Sequence, residues 1–153
     1  MNSPAVLLDH YRTLSCARQW RGFVRAFAGE LAGALPPAEC ARVMGRIGER
    51  FATSHPLPAC DDLAALQRAC NQVWQYSDWG VAEFREGAVE VTITHIGDPL
   101  VALLGADAAW SAGFLEGAYR GWFRAAGMLP ALDVHHCPGI SADVTLFSVR
   151  RIA

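Results

Sequence analysis

Histidine and cysteine side chains near the carboxyl end offer the sharpest chemistry in the sequence, a metal site. His135, His136 and Cys137 are consecutive, and imidazole and thiolate are ligands that zinc accepts. Neighbouring side chains on a strand point to opposite faces, so His135 and His136 could share one metal only in a turn. A polar loop before the last strand is the alternative. A metal-dependent hydrolase using these three side chains stays open as one hypothesis.

Other groups that could do acid–base work lie near a predicted hairpin. Ser77, Asp78 and His95 could form a nucleophile and its base, but no G-x-S-x-G turn presents the serine. Glu83, Glu86 and Glu90 could supply paired carboxylates for glycosidic chemistry. Carboxylates on a hairpin, however, more often form a solvated face than a catalytic pair. The sequence therefore assigns no catalytic residue and no cofactor. A small-ligand-binding or sensor domain, with a pocket around His95 and Trp79, is an alternative function.

Three glycines recur every four residues in one helical segment. Each glycine inside a helix costs about 0.5–1 kcal/mol relative to alanine, so a close approach of another backbone or a large ring must offset the cost. Two interpretations remain, a tightly packed core helix and a contact between subunits. The last strand is apolar on both faces and adds two candidates. The candidates for a packing surface or subunit interface are Gly113, Gly117, Gly121, Tyr119, Trp122, Val144 and Leu146.

The elements that must position these residues begin with helices. Apolar spacing of three and four residues predicts a first helix over residues 7–34. A second helix follows the proline pair 36–37 and ends near Ser54. Asp61 or Asp62 then caps a third helix that ends at 76–78. The predicted buried stripe of the first helix is Trp20, Phe23, Val24, Phe27 and Leu31.

Beyond Gly80 the spacing of apolar residues changes from the period of a helix, near 3.6 residues, to the period of a strand, 2 residues. Strands over residues 81–85 and 88–96 make a hairpin, a helix over 110–126 ends at Gly127, and a last strand covers 142–151. The pattern predicts a single α+β domain over residues 1–153, with N-terminal helices followed by an antiparallel sheet that carries one further long helix.

Composition limits the classes of function. The chain is 52% hydrophobic and only 18% charged, an excess of apolar surface that favours self-association. A net charge of −2 does not suit a nucleic-acid binder. No apolar run is long enough to insert in a membrane. The first ten residues lack the pattern of a signal peptide, and the five cysteines form no C-x-x-C pair, so the prediction is a cytoplasmic protein with reduced thiols.

Three segments, in this order, resemble the D subunit of bacterial cellulose synthase. They are residues 42–52 (RVMGRIGERFA), 74–81 (WQYSDWGV) and 113–123 (GFLEGAYRGWF). The resemblance covers residues 36–151, whereas residues 1–35 form an N-terminal helical segment without a clear match. None of the three segments is a catalytic motif.

The resemblance implies a non-enzymatic accessory subunit of cellulose synthesis and secretion. Members of that family form a ring-like octamer built from dimers, associate with other cellulose synthase components and promote ordered cellulose. Passages in the ring are associated with β-1,4-glucan chains, although no glucan-contacting residue carries over to this sequence. Family members are placed in the cytoplasm or in the periplasm. The expected partners are therefore further copies of the chain, synthase components and glucan.

Overall fold

The computed structural model describes residues 4–14, 16–141 and 143–153. The chain begins with the helices α1 (Pro4–Leu14), α2 (Arg18–Ala34), α3 (Pro37–Ser54) and α4 (Leu63–Tyr76). The strands β1 (Val81–Glu86) and β2 (Val91–Ile96) follow, then the short helix α5 (Pro99–Leu104) and a 3₁₀ helix (Ala106–Ala112). The last elements are α6 (Gly113–Ala125), β3 (Leu132–Ser141) and β4 (Val144–Arg151). The predicted start of the last strand, Ala142, lies outside the described residues.

The four strands form one antiparallel sheet in the order β1-β2-β4-β3. One face of the sheet packs on α6, where the rings of Tyr119 and Phe147 lie 5.6 Å apart and those of Phe84 and Phe123 lie 5.2 Å apart. Helices and sheet share one hydrophobic core. The predicted α+β class, with helices first and one long helix on an antiparallel sheet, is confirmed.

Helices α3 and α6 approach each other at glycines. Gly48 of α3 lies against the backbone of α6, where a Cβ would be 2.6 Å from the nitrogen of Ala118. A Cβ on Gly117 would overlap the carbonyl oxygen of Gly45. Real side chains never come this close, so both positions require glycine. All three α6 glycines face α3 of the same chain: Gly113, Gly117 and Gly121.

The N-terminal segment departs from the predicted continuous helix over residues 7–34. It forms two helices, because the backbone becomes extended at Ala17 (ψ 135°) just before α2 begins. The side chain of Arg21 donates a hydrogen bond to the carbonyl of Cys16 at 2.8 Å across this break. Neither proline nor glycine marks the break, so the sequence carries no strong signal for it.

The predicted core stripe of this segment is wrong for its aromatic residues. Trp20, Phe23 and Phe27 are 54%, 63% and 47% exposed, whereas Trp74 and Trp122 are buried. Helical spacing shows which side chains share a face, but not whether another element covers that face. The three rings therefore contribute to the surface of the chain.

The polar loop predicted for His135, His136 and Cys137 is wrong, because these residues belong to strand β3. These residues pair with β4, and His135 lies opposite Ser148 in the register. The sequence carries a signal for this strand, since Leu132 and Val134 alternate with Asp133 and His135. Elsewhere the predictions agree more closely. Asp62 caps α4 by accepting a hydrogen bond from the nitrogen of Ala65 at 2.7 Å.

Candidate functional site

The β1 edge of the sheet is sealed by side chains of α4. The Asn71 amide donates to the Ala82 carbonyl at 2.8 Å and accepts from the Ala82 nitrogen at 2.7 Å. Gln67 accepts from the Phe84 nitrogen at 2.6 Å. These amides occupy the positions that a neighbouring strand would take. Gln67 and Asn71 stand one helical turn apart beside the apolar stripe of α4, and this spacing is a sequence signal from which the contact with β1 could have been predicted.

The middle of the β3 edge is covered in the same way by side chains of α6. Arg120 donates to the Val134 carbonyl at 3.0 Å, and Glu116 accepts from the His136 nitrogen at 2.7 Å. Arg120 also pairs with Glu116 at 3.0 Å and with Asp133 at 2.5 Å. Side chains therefore occupy the middle of both sheet edges, which disfavours assembly of copies by extension of the sheet at these positions.

The candidate residues of the last strand lie on the sheet face that points away from α6. Val144 and Leu146 are half-buried there, while Phe147 and Val149 point into the core. Ser148 shares the outer face, and its hydroxyl is buried without a partner among the described groups. The role of Val144 and Leu146 in a subunit interface stays a prediction.

A buried polar network occupies the centre of the molecule. The Trp74 indole donates to the Tyr119 hydroxyl at 3.1 Å, and the Tyr119 hydroxyl lies 2.6 Å from Nδ1 of His95. The other ring nitrogen, Nε2, lies 2.7 Å from the Trp79 carbonyl. A neutral His95 protonated at Nε2 satisfies every polar atom of this hydrogen-bond network, because Nε2 then donates to the Trp79 carbonyl and the Tyr119 hydroxyl donates to Nδ1. Both nitrogens are occupied, which leaves none for a ligand in the proposed sensor pocket.

Burial shifts the pKa values of two groups at the end of β2 in opposite senses. It lowers the pKa of His95 from 6.5 to about 4, although the hydrogen bond to Trp79 favours the protonated ring. It raises the pKa of the Asp98 carboxyl from 3.8 to about 6, despite a hydrogen bond from the Leu100 nitrogen. As pH falls from 6.5 to 4, the unfolded chain protonates His95 before the folded chain does, so His95 lowers the stability of the fold. Asp98 offsets this loss, because its carboxyl takes up a proton in the folded chain before it does so in the unfolded chain.

We expect Asp98→Asn to expose the acid sensitivity that His95 confers. Without the offset, the stability should fall between pH 6 and pH 4 more steeply than in the wild type, by up to about 1.4 kcal/mol per pH unit. Urea unfolding at pH 6, 5 and 4 measures the slope, with Asp61→Asn at an exposed carboxylate as the matched control. Parallel profiles for Asp98→Asn and the wild type would refute the assignment.

The residues considered for metal chemistry do not converge. His136 points to the core side, where its ring lies 5.6 Å from that of Phe147, whereas His135 belongs to the opposite face. In the part of the chain that the structure describes, no three histidine, cysteine or acidic side chains are grouped as metal ligands would be. All five cysteines are free thiols.

The most prominent feature left on the surface is an aromatic face on α2. Trp20 and Phe23 contact edge to face with ring centroids 6.1 Å apart, and Phe23 stacks on Phe27 at 6.3 Å. We call these three residues the aromatic face. Covering the exposed half of each ring would remove roughly 100 Å² from water, worth about 2–3 kcal/mol per ring. Such a surface is typical of a protein interface.

Helix α1 adds to the exposed apolar surface. Its large apolar side chains are between 48% and 62% exposed. Soluble monomers seldom expose contiguous apolar patches beyond a few hundred Å². The exposed apolar residues of α1 are Val6, Leu7, Leu8, Tyr11 and Leu14.

Comparison with known proteins places these features in a family. A family model described as the D subunit of cellulose synthase matches residues 6–147 of the chain. The match therefore includes most of α1 and all of α2, where sequence patterns alone showed no resemblance. A search of curated proteins finds no match. None of the helices in the described residues is long and apolar enough to span a membrane.

Proposed function

The chain belongs to the family of cellulose synthase D subunits, and from that premise we propose that it is a non-catalytic subunit that assembles with copies of itself. The assembly organises synthase complexes or glucan chains so that cellulose emerges in an ordered form. Its proposed form is a closed octamer built from dimers, as the family resemblance implies. Its partners are other cellulose synthase components and β-1,4-glucan.

The observation that carries this proposal is the aromatic face. Trp20, Phe23 and Phe27 lie on the outside of a chain whose core already holds Trp74, Trp122 and Tyr119 with most of the phenylalanines. Since side chains of α4 and α6 cover the middle of both sheet edges, an apolar helix face is the contact between copies that we favour. His95, the candidate base beside Ser77 and Asp78, is held in a structural network, which supports a subunit that acts by geometry.

We place the assembly in the cytoplasm as part of this proposal. The five cysteines are unpaired, and Cys40 and Cys70 are buried, which suits a compartment that keeps thiols reduced. A periplasmic location is the alternative. Attachment of a fluorescent protein that matures only in the cytoplasm would separate the two.

The competing use of the aromatic face is stacking on sugar rings, which Trp and Phe also support. Self-association is the use proposed here, because the neighbouring helix α1 presents further exposed apolar side chains. A sugar platform would leave the mass of the protein unchanged when Phe23 is altered. An interface between copies would not.

Complementation in the host tests the proposed function. Deletion of the coding region should lower the crystallinity of the cellulose, and the wild-type gene should restore it. Phe23→Asp should fail to restore order although the protein accumulates, because a carboxylate on the aromatic face opposes burial. Val89→Asp, at an 89% exposed position in the β1–β2 turn, is the matched control. Full rescue by Phe23→Asp would contradict the proposal.

A further inference from the structure

The short helix α5 borders two open grooves. Val101 and Gly105 line a groove of about 550 Å³ that also includes the beginning of β4. Leu103 and Leu104 line a second groove of about 310 Å³, whose opposite wall is α2. Apart from Pro99, each residue of α5 is only half-buried. Close packing is what fixes an element in a fold, so these gaps make α5 one of the more weakly held elements.

Both ends of α5 turn at glycines with positive φ. Gly97 (φ 84°) lies before the helix, and Gly105 (φ 78°) follows it directly. Glycine changes its backbone angles at little cost, and hinges are commonly found at the ends of an element. The helix has six residues, too few to be stable without its packing contacts. It can therefore move as a unit between two hinges.

The carboxyl group of Asp98 is buried between the first hinge and the helix. The residue is 4% exposed, and Oδ1 accepts a hydrogen bond from the Leu100 nitrogen at 2.8 Å. The other oxygen, Oδ2, is buried without a hydrogen-bond partner among the described groups. An ionised carboxylate with an unpaired buried oxygen is costly, and burial accordingly raises the pKa of this carboxyl to about 6.

The N-terminal helices lie on α5. Both α1 and α2 pack against it, and the contact between α2 and α5 contains the smaller groove. The large apolar side chains of α1 are about half exposed, so little other packing holds this helix. A displacement of α5 therefore removes support from α1 and α2.

We propose that the protonation state of Asp98 controls the position of α5 and the packing of α1 and α2 on it. The protonated carboxyl favours a closed form, in which α5 lies against the rest of the domain. Ionisation favours an open form, in which the carboxylate reaches water and the N-terminal helices loosen. This switch goes beyond the proposed self-assembly and does not depend on it, because all of its parts belong to one chain.

The two titratable groups in the core near Asp98 stay neutral over the relevant pH range. Tyr119 of α6 senses the charge of Asp98, but burial keeps the pKa of its hydroxyl well above the usual value. Burial lowers the pKa of His95, at the end of β2, to about 4. Neither group therefore changes charge between pH 5 and pH 8.

Other charged or titratable side chains lie along the grooves and on α1, and the test must separate them from Asp98. Burial lowers the pKa of the His136 ring, which lines the larger groove. Asp107 is exposed and lines the smaller groove, so Asp107→Asn is a matched control for the loss of a carboxylate. His10→Asn is the control on α1. The full set is Arg25, Asp107, His136, His10 and Tyr11.

Amide hydrogen exchange at pH 5 and pH 8, corrected for the intrinsic effect of pH on exchange, measures the opening of α5. The closed form binds the proton more tightly, so closure is favoured at low pH and weakens as pH rises toward 6. If the open form has the ordinary carboxyl pKa of 3.8, α5 should open about tenfold more often at pH 8 than at pH 5. Amides of α1 and α2 should follow, and those of β2, which pairs on both sides, should not.

Asp98→Asn should remove this pH dependence, because an amide cannot ionise, whereas Asp107→Asn and His10→Asn should keep it. Equal protection of α5 at both pH values in the wild type would overturn the proposal without any variant. Survival of the tenfold change in Asp98→Asn would also overturn it. A response of α5 without one in α1 and α2 would overturn the link to the N-terminal helices. The mass of the same samples tests self-assembly separately.

Discussion

Replacing Gly117 with alanine is expected to destabilise the fold by about 3 kcal/mol or more. The added Cβ would overlap the carbonyl oxygen of Gly45, so α3 and α6 would have to separate over their whole contact. Overpacking of a core by one methyl group often costs about 1–3 kcal/mol, and here the obstacle is backbone, which cannot rotate away as a side chain can. Urea unfolding at one fixed protein concentration measures the loss.

Gly29 provides the matched control for this prediction. It lies inside α2, and a Cβ built on it meets nothing within 4 Å. Gly29→Ala should leave the stability unchanged or raise it by up to about 1 kcal/mol, because alanine is the better helix former. Equal stabilities for Gly117→Ala and Gly29→Ala would show that α3 and α6 are not in backbone contact.

Removing the Tyr119 hydroxyl is expected to cost about 3 kcal/mol, the second large effect. Tyr119→Phe leaves the Trp74 indole without an acceptor and Nδ1 of His95 without a donor. Both groups are fully buried, and each unsatisfied polar group costs about 1–3 kcal/mol. The fold and the packing of the ring should otherwise remain.

Thermal unfolding of Tyr119→Phe and of Tyr76→Phe makes the comparison. Tyr76 is 89% exposed, so the loss of its hydroxyl should have no measurable effect. A melting temperature for Tyr119→Phe within error of the wild type would mean that the hydroxyl is not the link between Trp74 and His95.

Much of the fold was predictable because its elements have local signals. The proline pair before α3, the Asp62 cap of α4, the alternation of β2 and the glycine stop after α6 each act within a few residues of the chain. Glycine spacing predicted a close-packed surface. It did not identify the partner, although Gly45 and Gly48 stand three residues apart in α3.

The features that the sequence did not reveal depend on contacts between distant residues. Strand β3 is held by pairing with β4 and by side chains of α6, whereas its alternation of Leu132 and Val134 with Asp133 and His135 is interrupted by the polar His136. The aromatic face has the same spacing as a buried stripe, and only the position of the other elements leaves it exposed. Pairing of His95 with Tyr119 joins residues 24 positions apart.

Self-association of the folded chain through its aromatic face is the central claim, and sedimentation equilibrium tests it most directly. At micromolar concentration the wild-type chain of 16.6 kDa should form one closed species of several copies, eight in the proposed assembly. Phe23→Asp should reduce that mass, and Val89→Asp should not. A wild-type chain that sediments as a monomer at tens of micromolar would contradict this claim.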